Sequence, residues 1–510
     1  MPRTALLTRL SPGARPAGPP VRPRGWAHRH WLVLSLVAVL LLAGLLAWQR
    51  PWEQCGDGLK AAGKVCVGLN LASGPFRDDD PLADLEARIA ERNSQAGSTF
   101  KTVVVLENLT PDPDTDSTPI EFIRHEVQGA ITAAWPRPES TGVKLLLASF
   151  GGNAEHWPEV VAQIVASAPA EHIAAVTGVG VSLETTRNAV AELSRHGIVT
   201  IGATVTADDM NVDADHQRIK NFFRVGPTNS DEAHAAVNYI AKLGARRTML
   251  VADVNEADTY AATLAKGFQE QQQVQFSKKY DSLEGQLTGA SRDQYLQKLF
   301  RGMHSDICTA QPDVIYFAGR GVDLRSFITA LSNDGACEQL PSVTVISGDD
   351  SATLVGSKLP LDGDIDVQPL YTALAYPDQW KMFTGDQAAL TYQQNYTDFF
   401  NAFVTTHGFA REDLSDGAAM IEHDAVTTAV RAAEDDPADT PQSVANFVVN
   451  FDCNSAVPGA TGFIAFRQSD GNQINKVLPI LRIRADGSTA PIDLVWSLGR
   501  PLDTSPKCGS

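Results

Sequence analysis

The sequence has few of the residues from which cofactor and metal sites are built. Only six of its 510 residues are cysteines. With no C-x-x-C pair or His-x-x-x-His cluster beside them, they read as structural staples rather than zinc ligands. There is no P-loop, no HExxH and no G-x-S-x-G elbow, and the eleven histidines are scattered singly. The run from Gly178 through Gly180 to Leu183 lacks the third glycine of a dinucleotide fingerprint. No cofactor or metal is therefore expected. A hydrolase with dispersed catalytic residues stays open as an alternative, because triads assemble only in space. Positive charge is also scarce: the formal net charge is -18. Residues 1–50 carry seven arginines and no acid, so the remainder stands at -25. Such a surface repels phosphate backbones, and nucleic acid is not an expected partner.

Long apolar runs are equally rare, and the single one is informative. From Trp31 to Trp48 the chain carries no charge, and at 1.5 Å per residue this reaches about 27 Å, near the thickness of bilayer hydrocarbon. Arg22, Arg24 and Arg29 precede it while Glu53 and Asp57 follow. The positive-inside rule then places 1–30 in the cytoplasm as a disordered basic tail, 31–48 as a transmembrane helix, and the rest outside the cell. The exit AWQRPWEQC has no small-residue cleavage site, which favours an uncleaved anchor over a signal peptide. All six cysteines lie beyond the anchor, where disulfides persist. Sequence neighbourhood suggests the pairs Cys55–Cys66, Cys308–Cys337 and Cys453–Cys508 among fifteen pairings.

Residues 49–100 read as a cysteine-closed juxtamembrane stalk with a helix from Pro81 to Asn93. From Lys101 short apolar runs alternate with helical segments, the pattern of βαβ units around parallel sheets. A first series runs TVVVLE, VKLLLAS, HIAAVTG and IVTIGA, with helices near 120–134, 157–167 and 184–196. A second begins with a helix that Thr228 and Asp231 can cap and Gly244 can end. It continues through TMLVADV, VQFSKKY, DVIYFAG and VTVISGD. Helices at 395–408 and 416–433 and strands at 463–466 and 477–484 follow, with Asp424 read as a polar helix residue. The expected fold class is α/β with two lobes, each a mostly parallel sheet flanked by helices. Lobe 1 spans 101–225 with a return near 376–450, and lobe 2 spans 226–375 with a return near 451–500.

The landmarks AAVTGVGVSLETT, IVTIGAT, NFFRVGPTNSDEA, MLVADVNEADTYAATLAKGF, DVIYFAGRG and VTVISGDDSAT, in this order, resemble the type I periplasmic-binding-protein family, in its branched-chain amino-acid-binding branch. The resemblance covers Lys101 to Ser497. It implies capture of a small molecule at the C-terminal strand ends, where helix N-termini offer free N–H groups. Ser182 matches the hydroxyl loop that holds a ligand carboxylate, with Thr185 and Thr186 beside it, for which helix capping competes. Ala203 and Thr204 match the next ligand loop, where a plain strand-end turn is the rival. Tyr260 falls where the family places an aromatic wall, a position that core packing also explains. Asp349 and Asp350 stand where the family places an acid for the ligand's ammonium. One of the two can instead cap the following helix, and the family branch commonly has a glutamate here. Gly151 and Asn153, with Asn108 and Trp157, occupy loops that can line the cleft beside the insertion 111–119.

The function implied is non-catalytic capture of a small polar, amino-acid-like solute for an ABC-type permease. The alternative is a membrane-anchored sensing or scaffolding ectodomain that takes no part in transport.

Overall fold

A computed structural model describes residues 55–255, 257–283, 287–333, 335, 337–384, 387–434, 441–497 and 499, together with Ser35 and Val39. The basic tail and, apart from those two residues, the apolar run 31–48 lie outside the described residues. Among the described residues no helix is long and apolar enough to cross a membrane. The chain divides into Met1–Glu53 and Gln54–Ser510, and the second unit carries the two sheets described next.

The first sheet contains β1 (Lys60–Ala62), β2 (Val65–Leu69), β3 (Lys101–Glu107), β4 (Val143–Ser149), β5 (Ile173–Gly178), β6 (Val199–Gly202) and β7 (Phe222–Arg224). The second is built from β8 (Thr248–Asp253), β9 (Phe276–Tyr280), β10 (Val314–Ala318), β11 (Ser342–Ser347) and β12 (Asp366–Thr372). A small pair, β13 (Val457–Gly459) and β14 (Gly462–Ile464), stands apart, and β15 (Val477–Ile483) with β16 (Thr489–Trp496) completes the second sheet. The first sheet runs β1-β2-β4-β3-β5-β6-β7 and the second β16-β15-β12-β11-β10-β8-β9. Without the antiparallel additions at one edge, both are parallel sheets of the same doubly wound order, with the first strand of each series flanked by the second and third.

The continuous apolar runs form strands because both of their faces are covered. On β3, Val103 and Val105 enter one core while Val104 and Leu106 enter the other. On β10, Ile315 and Phe317 alternate with Val314, Tyr316 and Ala318 in the same way. Each Val, Leu, Ile or Phe side chain among these contributes about 1.5–3 kcal/mol on burial. The helix Asn229–Leu243 starts on the anticipated reciprocal cap, with Thr228 accepting from the Asp231 N–H, and stops at Gly244 at φ 68°.

Three segments differ from the sequence reading. The stretch assigned to a stalk joins lobe 1: β2 pairs antiparallel with β4, and the helix Ala83–Ser94 buries Leu85 and Ile89 in the same core as β3. The turn at Gly63-Lys64 hides this hairpin in the sequence as a loop. The tail helix begins earlier, as Gln387–Phe400, and runs on into a π-helical turn, Asn401–Thr406. Val457, Ile464 and Phe466 pack in lobe 1, although 451–500 was assigned to lobe 2; only β15 and β16 join the second sheet.

Two of the expected disulfides are present, Cys55–Cys66 and Cys308–Cys337. Cys508 of the third pair lies outside the described residues.

The returning chain is held by a buried polar hub. Asp424, on the helix Ala418–Glu434, accepts the N–H groups of Ala460 at 2.6 Å and Thr461 at 2.9 Å, as well as the Thr461 hydroxyl. Lys476 donates to the same hydroxyl. Burial lowers its pKa to about 8, against the pull of Asp424. The helix Ala418–Glu434 crosses Ile120–Ala134 at Gly129, where a Cβ would stand 2.1 Å from the Ala419 carbonyl oxygen. No other residue permits that approach.

Candidate functional site

The shared strand order leaves a crevice between β3 and β5 in lobe 1 and between β8 and β10 in lobe 2, at their C-terminal ends. Lobe 2 fills its crevice with an internal cation. Arg320 follows β10 and sends Nε and Nη2 to the two carboxylate oxygens of Asp258, each at 2.7 Å. Its Nη1 reaches Asp350 Oδ1 at 3.0 Å, and the guanidinium lies 4.7 Å from the centre of the Tyr260 ring. Asp258 and Asp350 hold its proton still more firmly than water does. Each acid also serves the backbone: Asp258 caps the helix Thr259–Gln271, and Asp350 accepts the Gly321 N–H at 2.6 Å.

Arg320 also crosses to lobe 1, donating from Nη2 to the Ser182 carbonyl at 3.0 Å. A second bridge runs from the Thr206 hydroxyl to Asp349 Oδ1 at 3.1 Å, and a third from the Gly289 N–H to the Asp114 carbonyl at 2.8 Å. Further bonds cross the gap beside these, among them one from the Asp208 N–H to the Thr263 hydroxyl at 3.3 Å. Behind the second bridge, Glu232 Oε2 accepts the Asp349 N–H at 2.8 Å and the Thr372 hydroxyl at 2.7 Å. Burial raises Asp349 to about 6 and Glu232 well above the usual carboxylate range.

This raised pKa gives the fold a pH dependence. Folded Asp349 keeps its proton up to about 6, whereas the ordinary value is 3.8. Between those values the folded form holds more protons than the unfolded one, so stability falls as pH rises through the window. Asp349→Asn is expected to flatten that slope in urea titrations taken across it. An unaltered slope would contradict the assignment.

The crevice of lobe 1 is acidic. Glu107, the last residue of β3, accepts the Gly180 N–H at 2.7 Å. Glu422 accepts the Thr177 hydroxyl at 2.7 Å, and Glu126 lies 3.5 Å from the Thr204 hydroxyl. All three are buried, and among the described residues no cation pairs with them. Burial pushes Glu107 up to about 7, and Glu126 and Glu422 well above the ordinary carboxylate range.

Ser182, Tyr260, Asp349 and Asp350 come together around Arg320 and Thr206. The Ser182 hydroxyl accepts the Ala207 N–H at 3.1 Å, and the Tyr260 hydroxyl accepts the Asp350 N–H at 3.2 Å. Ala203 is fully buried, and Thr204 donates to the Gly180 carbonyl at 3.1 Å. Thr185 donates to the Asn153 carbonyl at 2.6 Å, tying the loop of Gly151 and Asn153 over the outer end of the lobe 1 crevice. Arg320, Asp258, Glu107, Glu126, Glu232 and Glu422 were not singled out in the sequence. A charged residue at the end of an apolar strand is the signal that marks Glu107 and Arg320.

Solved structures with the same architecture provide the comparison. An ABC transporter substrate-binding protein from Desulfitobacterium hafniense, in complex with Leu, has a TM-score of 0.54 at 17% identity, covering 77% of this chain and 100% of that one. A leucine-binding protein from Thermotoga maritima has a TM-score of 0.55 at 18% identity, covering 78% and 98%. A solute-binding protein of an ABC transporter from R. palustris, in complex with 4-hydroxybenzoate, has a TM-score of 0.54 at 12% identity, covering 80% and 98%. No family model and no curated protein matches the chain. At these identities the likeness shows the fold, that of the two-lobed type I periplasmic binding proteins.

Proposed function

We propose that this chain is an extracytoplasmic solute-binding protein, held at the cell membrane by residues 31–48, that closes its lobes on a small polar molecule and presents it to an ABC-type permease. The observation that carries this reading is the pair of like-ordered sheets joined tip to tip by Arg320 with Ser182 and by Thr206 with Asp349. Hydrogen-bonding groups of both lobes converge there, and their closure around a guest would replace its hydration shell. The role is binding without turnover. The neighbours that share the fold are solute-binding proteins, in line with this role.

A thermal-shift panel of amino acids, aromatic acids, amines, sugars and amides on the full chain in detergent tests it. A ligand at a hundred times its Kd adds about 2.7 kcal/mol of stability and must raise the melting temperature. The stabilising compound should be recovered intact. If no compound in the panel moves the transition, the reading fails; if a new product appears, the chain is an enzyme.

A further inference from the structure

The acid floor of lobe 1 contains a small cavity. Its lining includes Glu107, Asn108, Asp116, Phe150, Gly180 and Thr186, and it has a volume of about 10 Å³. That is room for one group the size of a water molecule. Three of its lining residues carry acceptors. The Asn108 amide is oriented by its N–H donation to Asp116 at 2.7 Å, which leaves Oδ1 without a partner. The Thr186 hydroxyl, fully buried, also has none. The Glu107 carboxylate, which accepts the Gly180 N–H on Oε1, is the third.

The charges around Glu107 have one sign. Glu126 comes from the helix Ile120–Ala134, Glu422 from Ala418–Glu434 and Asp116 from the inserted loop. Glu126 and Glu422 each keep one oxygen without a partner. The positive groups nearby are already engaged: His125 contacts Asp416 at 2.6 Å, and Lys64 pairs with Asp112 and Asp114 at the surface. On the facing lobe, Arg320 already satisfies Asp350 and Asp258. An incoming cation therefore finds uncompensated acid at the crevice of lobe 1, whereas in the crevice of lobe 2 Asp258 and Asp350 already share Arg320.

We propose that the cavity between the ends of β3 and β5 is an ammonium seat, so that the solute is a primary amine whose head group donates to Glu107, Asn108 Oδ1 and the Thr186 hydroxyl. A primary ammonium has three N–H donors and no acceptor, and each of the three groups can accept one of them, the Thr186 hydroxyl with its own proton turned away. Water of the same size would bring no charge, and the buried carboxyls would have to stay protonated. Arrival of the cation ionises them, so binding releases protons. This inference rests on the solute-capture reading and specifies which class of solute is held.

The test is calorimetry on the full chain in detergent, with isoamylamine, its N-trimethylated analogue and isocaproate, in two buffers of different ionisation enthalpy. Isoamylamine should bind with net proton release near neutral pH. The trimethylated analogue, of equal charge but without N–H donors, should bind at least about tenfold more weakly. Glu107→Gln should lose both binding and proton release. Thr186→Val, nearly isosteric, should weaken binding about tenfold and keep the fold. Equal binding of the trimethylated analogue, displacement of the amine by potassium at equal concentration, or binding of isocaproate in place of the amine would each overturn the ammonium seat. In the last case solute capture itself would stand. If neither these probes nor any compound of the thermal-shift panel binds, both fail together.

Discussion

Arg320→Ala is expected to lower the melting temperature by on the order of 10 °C, the largest effect of any single change in the cleft. Asp258 and Asp350 share this one guanidinium, and its loss leaves two carboxylates buried without a counter-charge. Breaking a buried pair in this way costs roughly 3–5 kcal/mol, far more than an exposed pair is worth. The bridge to the Ser182 carbonyl is lost as well, so the lobes should also part more readily. Arg320→Lys keeps the charge but not the planar fork that holds Asp258 by two bonds, and should fall between parent and alanine variant. Differential scanning calorimetry decides the matter: an alanine variant melting within about 1 °C of the parent would mean that solvent already reaches these acids.

Asp424→Ala should destabilise the fold by a comparable amount, about 3–5 kcal/mol, through a different route. The change removes the acceptor for two buried N–H groups and the Thr461 hydroxyl, and strands Lys476 in the interior. The decisive comparison is with the double variant Asp424→Ala, Lys476→Met. Removing both charges should restore part of the loss, because an apolar pair tolerates burial better than one orphaned ion. Equal urea midpoints for single and double variants would show that Lys476 does not feel Asp424.

What could be read in the sequence was whatever is encoded locally. VKLLLAS and DVIYFAG are continuous apolar runs because both faces of a parallel strand are covered, and they became β4 and β10. The start and stop of Asn229–Leu243 lie within three residues of the chemistry that sets them. The hairpin β1–β2 was missed because it has partly exposed edges and a short register, and β16 because Pro491 argues against a strand.

The cleft was legible only in part. Ser182, Tyr260 and the two aspartates were placed by their positions at strand ends. Arg320 was not, because its burial depends on Asp258, 62 residues earlier, and Asp350, 30 residues later. Residue by residue, such a cation reads as surface. The same holds for Glu107 and Glu422, which approach one another only once the helix Ala418–Glu434 folds back under β5.

The return of the chain to the second sheet also orders events at the ribosome. The outer rim of β12 acquires its partner only when Leu481 and its neighbours arrive, over a hundred positions later in synthesis. Until then the nascent polypeptide displays an apolar strand with unpaired amide and carbonyl groups to whatever is near. This half-made sheet is the stage of synthesis most in need of a chaperone, and truncations ending before residue 477 should aggregate rather than yield a free-standing half.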